Sequence, residues 1–348
     1  MEAVRGLRYD HPVAVDAVTH RELVRGIDES FDHSFPRELL ARRERAWRTI
    51  GVIPPGTELR QAYRRFLSSQ VIGYYDPTTG QLVFIGTNAP SPAERLTLAH
   101  ELTHADDDQH FDLSRLNRFE NECLDERQQA ATGAVEGSAV FFSFRVAERF
   151  FSQSDIGSLL NQRAPPTGGV PPFLQRLLVW PYVDGPTFIG ALEERGGPKE
   201  VNAALRDLPV STEQVMHPER YPDDVPRHVE VPRLVPGRAQ ATDLDVMDVG
   251  EEWLNDMLRL RLPSDLAARA TTGWDGGKYR AWSVRGRVLV AMLTAWDTSG
   301  DASEFAAALT RWVRPGQPSR VARAGRRQVL ALFASSPDAL RAGLEGLG

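Results

Sequence analysis

The stretch Ser91-Pro92-Ala93-Glu94-Arg95-Leu96-Thr97-Leu98-Ala99-His100-Glu101-Leu102-Thr103-His104-Ala105 decides how the surrounding chain is read. It opens as a helix should. Ser91 is an N-cap, Pro92 occupies the first helical position where its missing N–H costs nothing, and Glu94 is spaced to reach back to the cap. The helix is expected to run to about His110. Inside it, His-Glu-x-x-His sets His100 and His104 one turn apart on one face, so that both imidazoles reach a single cation. Glu101 follows the first of them and can act as general base on a metal-bound water. Imidazole with carboxylate suits Zn2+, and a catalytic zinc takes three protein ligands and keeps one position open. The competing reading is two surface histidines on an amphipathic helix with a solvated glutamate.

The context favours the metal. A hairpin is expected just upstream: Val71 to Tyr75, turn residues Asp76 to Gly80, then Gln81 to Ile85, a β-ribbon leading into the capped helix. Two glutamates on a second long helix, read over about Leu116 to Phe151, compete to be the third ligand. Glu136 lies among small and apolar neighbours in Ala134-Val135-Glu136-Gly137-Ser138-Ala139, where an unpartnered buried carboxylate would be costly. Glu122 lies among Glu120, Asp125, Glu126 and Arg127, the look of a solvated face. Glu136 is the better choice and Glu122 stays open. Donors to a developing oxyanion are sought in His217 and Tyr221, with Tyr182 as a third candidate, each also readable as loop packing. Asp108 and His110 are candidates for orienting a ligand imidazole.

The rest of the chain sets bounds. With 348 residues, 41% hydrophobic and 25% charged, it has the composition of a folded protein with a sizeable core, and its length suggests two domains. A net charge of -6 with scattered Lys and Arg, the short cluster Arg323 to Arg327 apart, argues against a nucleic-acid partner. The longest apolar run, Val288 to Trp296, is far below the roughly 20 residues that cross a bilayer, and reads as a buried strand. Cys123 is the single cysteine, so no internal disulfide forms. Met1 to Asp10 has no apolar core of a secretory signal.

The expected class is α+β. Residues 1–221 form the metal-binding domain, 222–244 a linker rich in proline (Pro222, Pro226, Pro232, Pro236), and 245–348 a separately folded α+β domain. Within residues 245–348 the order strand, strand, helix occurs twice: Lys278 to Ser283, Arg287 to Ala295, Ala302 to Val313, and then Arg320 to Ala324, Gln328 to Ala334, Pro337 to Leu347. Earlier, Val13 to Val18 reads as a strand, Arg21 to Gly26 and Pro36 to Ile50 as helices, and Pro186 to Glu194 as a further helix.

His-Glu-Leu-Thr-His followed by a downstream helix with Glu-Gly-x-Ala resembles the gluzincins, zincin metallopeptidases whose third ligand is a glutamate. Gln70 to Tyr75, Thr97 to Leu113, Val135 to Ala139, Ser211 to Gln214 and His217 to Tyr221 look more closely like a group of poorly characterised bacterial metallopeptidase-like proteins. The resemblance implies a zincin-like catalytic domain, Zn2+ on His100, His104 and Glu136, Glu101 as general base, and a peptide or protein substrate. It also implies an exported or lipid-anchored protein whose leader is missing here. A zinc-bearing peptide-binding or latent regulatory protein without hydrolysis is the alternative. One departure stands out: Asp106-Asp107-Asp108 crowds acid beside His104, where apolar and amide residues are expected, and implies altered metal affinity.

Overall fold

A computed structural model describes residues 1–70, 72–85, 89–121, 125–161, 168–234 and 241–347, excepting the side chains of 30, 32–34, 69, 70 and 119–121. The N-terminal stretch holds α1 (Glu2–Arg5), β1 (Ala14–Val18), α2 (His20–Ser34), α3 (Arg37–Ile50), α4 (Leu59–Gln70), β2 (Gly73–Asp76) and β3 (Gln81–Ile85). Then come α5 (Pro92–Phe111), α6 (Leu116–Asn121), α7 (Asp125–Phe150), α8 (Gln153–Leu160), α9 (Pro172–Gly196), α10 (Pro198–Arg206) and α11 (Thr212–Met216). The C-terminal stretch holds β4 (Ala241–Asp248), α12 (Glu251–Arg259), α13 (Ser264–Thr271), β5 (Trp274–Val284), β6 (Arg287–Trp296), α14 (Ser299–Trp312), β7 (Ser319–Arg323), β8 (Gln328–Ala334) and α15 (Pro337–Glu345). The architecture is mixed α and β. No described helix is long and apolar enough to cross a membrane.

The expected hairpin forms: β2 and β3 pair antiparallel, with Gly80 at φ 69° closing the turn. β1 joins β3 in parallel, giving the order β1-β3-β2. The ribbon's last strand is therefore central, and β2 is the edge that meets α5. The span expected as one long helix is described as α6 and α7, and residues 122–124 of it lie outside the described set. Helix α9 is much longer than the sequence pattern suggests and carries Pro181 and Pro186 inside it. A proline removes one hydrogen bond and crowds the preceding turn, which hides this helix from a reading that stops at proline. Helix α4 has no counterpart among the expected elements.

The second sheet is antiparallel in the order β4-β5-β6-β8-β7. From Val288 to Trp296 every residue of β6 is buried, because helices or chain cover both faces of the sheet; a sheet so covered reads as an unbroken apolar run rather than an alternation. The repeated strand-strand-helix order is present, yet Phe305 and Trp312 of α14 pack with Val290 and Met292 on one face, while Ala339 of α15 packs with Leu289 and Ala291 on the other. Two antiparallel hairpins side by side are related by a two-fold axis normal to the sheet, which would keep both helices on one face. The two units are not symmetric copies.

The N-terminal and C-terminal stretches share apolar surface. Trp47 and Ile50 of α3, Phe66 of α4 and Phe173 of α9 lie in one cluster with Trp253, Tyr279 and Phe333. Trp47 Nε1 donates to Tyr279 Oη at 3.1 Å, and Arg43 pairs with both Asp125 and Asp245. In the segment expected to be a polar linker, Val229, Val231 and Leu234 are buried against the sheet, and Arg227 N donates to Asp275 O. β4 begins within that segment.

Candidate metal centre

Local sequence sets the phase of α5. Ser91 Oγ accepts from Glu94 N and the Glu94 carboxylate accepts from Ser91 N at 2.7 Å, so the capping box fixes where the helix starts. From that start His100 and His104 present Nε2 atoms 3.1 Å apart, with rings nearly perpendicular at 89°. Glu136 of α7 brings Oε2 to 3.1 Å from His100 Nε2 and 3.4 Å from His104 Nε2. Tetrahedral zinc with bonds of about 2.0–2.1 Å requires ligand atoms roughly 3.4 Å apart, so the three donors fit it. Glu122, the competing third ligand, lies outside the described residues.

One other group of His or carboxylate side chains converges among the described residues: Glu213, Asp224 and Asp297. Its centre is already taken. Arg220 Nη1 sits 3.0, 2.6 and 3.0 Å from those carboxylates.

The charges of the first cluster act on one another. Burial pulls His104 down, but Glu136, by charge and hydrogen bond, overrides it and raises the imidazole to about 9. Burial pushes Glu136 up, and the opposing charge of His104 with hydrogen bonds to both imidazoles hold it well below the usual carboxylate range. Glu101 is 7% exposed and raised, chiefly by burial and against the pull of His104 and His100. Its Oε2 accepts from Tyr75 N of the edge strand at 2.8 Å. A carboxylate lifted from its ordinary value and fixed beside a cation site is suited to proton transfer.

Glycines bring Glu136 into place. A Cβ on Gly137 would stand 2.3 Å from Gly185 C, and one on Gly185 would stand 2.2 Å from Gly133 O. Helices α7 and α9 therefore touch backbone to backbone. That crossing sets Tyr182, one turn before Gly185, over the cluster: its ring lies 6.2 Å from that of His100, and it lines the same cleft as Glu136. Burial and the neighbouring carboxylates Glu136 and Glu101 push the phenol well above 10. Tyr182 as a whole is 45% exposed.

Tyr182, rather than the other two expected donors, belongs to the site. His217 Nε2 is held 3.0 Å from Glu251, and Tyr221 is buried with its hydroxyl donating to Asp207 O at 2.6 Å. Neither lines the cleft around the cluster. The proximity of both to a proline-rich loop suggests reach; their side chains are used in packing.

Two of the three aspartates after His104 find hydrogen-bonded partners on other elements. Asp106 faces His110, whose Nδ1 donates to its carbonyl at 2.8 Å. Asp107 pairs with Arg5, and Asp108 accepts from Tyr75 Oη and Leu113 N, both at 2.7 Å. Asp108 and His110 therefore do not orient a ligand imidazole; Asp108 ties the edge strand to α5. Tyr75 escapes a reading of the sequence because its role is set by a backbone N–H, which carries no residue signature. Gly133, Gly137 and Gly185 do carry one, small residues four apart on α7, which marks a close helix crossing.

The cluster opens into a cleft of about 540 Å³ walled by Phe66, Leu67, Ile72, Leu96, Val140 and Phe144. Apart from the two histidines, Glu101 and Glu136, none of its described lining residues carries a charge.

A domain of unknown function, DUF8575, matches residues 238–343. The match spans β4 to α15 and leaves out His100, Glu101, His104 and Glu136. No curated protein and no solved structure matches the chain.

Proposed function

We propose that this protein is a zinc-dependent peptidase of the zincin type that cuts extended peptides beside bulky apolar residues. The observation that carries the reading is the set of donor separations, 3.1, 3.1 and 3.4 Å among His100, His104 and Glu136, with the raised carboxylate of Glu101 adjoining them. Zinc, when bound, supplies Lewis acidity and a bound water of lowered pKa. Glu101 takes the proton of the attacking water and returns it to the leaving nitrogen. Tyr182 donates to the oxygen on which negative charge develops. Edge strand β2 offers backbone groups to an extended chain lying along it.

The cleft wall supports the substrate class. Large apolar side chains line it, and no described arginine or lysine is there to hold a terminal carboxylate. The first feature favours bonds beside bulky apolar residues, and the second leaves no anchor of the kind a carboxypeptidase needs.

The test is metal analysis with peptide digestion. Wild-type protein is expected to hold about one zinc, and Glu136→Gln to lose it. Glu101→Gln is expected to keep zinc and to lose hydrolysis by roughly 10²–10⁴-fold. A zinc-loaded wild type that cuts no peptide of a mixed library would overturn the reading.

A further inference from the structure

We propose that Arg5, Asp107 and Ser138 form a bracket that sets the spacing between the histidine pair and Glu136, making them positioning residues for a metal they do not touch. The inference rests on the metal site proposed above. All three residues are completely buried. Asp107 Oδ1 accepts from Arg5 Nε at 2.8 Å, and its Oδ2 accepts from Ser138 Oγ at 2.6 Å. Both carboxylate oxygens are thus engaged, one by α1 and one by α7.

The placement is what gives the bracket its role. Asp107 lies three residues beyond His104 on α5, and Ser138 two beyond Glu136 on α7. The Ser138 bond therefore fastens the two ligand-bearing helices to each other within a turn of the ligands. Slippage there changes the distances from Glu136 Oε2 to both imidazoles. Arg5 supports the bracket from behind. Its guanidinium lies 4.7 Å from the ring centre of Phe142 and 5.9 Å from that of Phe111, and its Nη1 and Nη2 have no hydrogen-bond acceptor among the described residues. Its one ion pair among the described residues is with Asp107. The Arg5 strap is continued by Tyr9, whose hydroxyl donates to Leu102 O on the same helix at 2.8 Å. Outer groups that orient metal ligands typically change affinity by about 10–100-fold when removed.

The experiment measures zinc affinity of the full chain by competition with a chromophoric chelator, and the visible spectrum of the Co2+-loaded form. Ser138→Ala, Arg5→Ala and Arg5→Lys are compared with Phe305→Leu, a core change in α14 far in the fold from both ligand helices. Thermal unfolding of each metal-free variant is recorded. Ser138→Ala and Arg5→Ala are expected to weaken zinc roughly ten-fold or more and to alter the cobalt spectrum, with Arg5→Lys nearer to wild type. Phe305→Leu is expected to lower the melting temperature while zinc affinity and spectrum stay as in wild type. Wild-type affinity and spectrum in Ser138→Ala and Arg5→Ala would overturn the bracket and leave the metal site standing. Equal loss of affinity in Phe305→Leu would overturn it as well, by showing that general destabilisation suffices. A wild type that binds no zinc would overturn the metal site and the bracket with it.

Discussion

Glu126 offers a quantitative check on how the helix bearing Glu136 is anchored. It lies in the first turn of α7, and its Oε1 accepts from Thr212 N at 2.6 Å and Thr212 Oγ1 at 2.8 Å. Gly250 packs so closely that an added Cβ would fall 1.8 Å from Glu126 Oε2. Burial raises this carboxyl from 4.5 to about 7; the Thr212 bonds oppose the rise, and Asp248 and Glu251 add to it. The folded protein therefore holds the proton more tightly than the unfolded chain. Stability from this group is fully present below pH 4.5 and is lost as pH climbs to about 7. At about 1.4 kcal/mol per pH unit, the loss across that window is about 3 kcal/mol. Glu126→Gln keeps an oxygen for both Thr212 bonds and cannot ionise. With an unfolding entropy of about 2.1 cal/mol/K per residue, 3 kcal/mol in a chain of 348 residues corresponds to about 4 °C. Melting curves of both proteins from pH 4.5 to 8 should coincide at the acid end and separate to about 4 °C in favour of the variant at pH 8. A difference that does not change with pH, or a variant less stable at pH 8, would refute the argument.

Three further outcomes are expected. Tyr182→Phe should keep zinc and lower kcat by roughly 10²–10³-fold; an unchanged kcat would reduce Tyr182 to packing. Gly137→Ala drives a methyl into the Gly185 backbone, so it should cost about 1–3 kcal/mol or more and release zinc as Glu136 shifts; normal melting and zinc content together would show that α7 and α9 do not cross in backbone contact. Residues 241–348 expressed alone expose Trp253, Tyr279 and Phe333, which α3, α4 and α9 otherwise help to bury, so no cooperative thermal transition is expected; a sharp transition would show a self-sufficient domain.

The sequence by itself determined the local elements: the capped start of α5, the His100 and His104 pair one turn apart, the hairpin before them and the strand-strand-helix order that occurs twice between Lys278 and Leu347. These depend on neighbours within a turn or two, and capping, helical periodicity and turn chemistry act at that range. Glu136 was legible for a related reason, since a carboxylate among small apolar residues needs a partner. Long-range packing decided the rest. Tyr182 rather than His217 or Tyr221 faces the cluster because α7 and α9 cross on glycine backbone, a contact between residues far apart in sequence. Asp107 and Asp108 looked like crowded acid because their partners, Arg5, Ser138 and Tyr75, come from three other elements. The proline-rich stretch before β4 looked like a linker because composition reports exposure only on average, whereas Val229, Val231 and Leu234 are buried by a sheet face that forms only after the chain has folded.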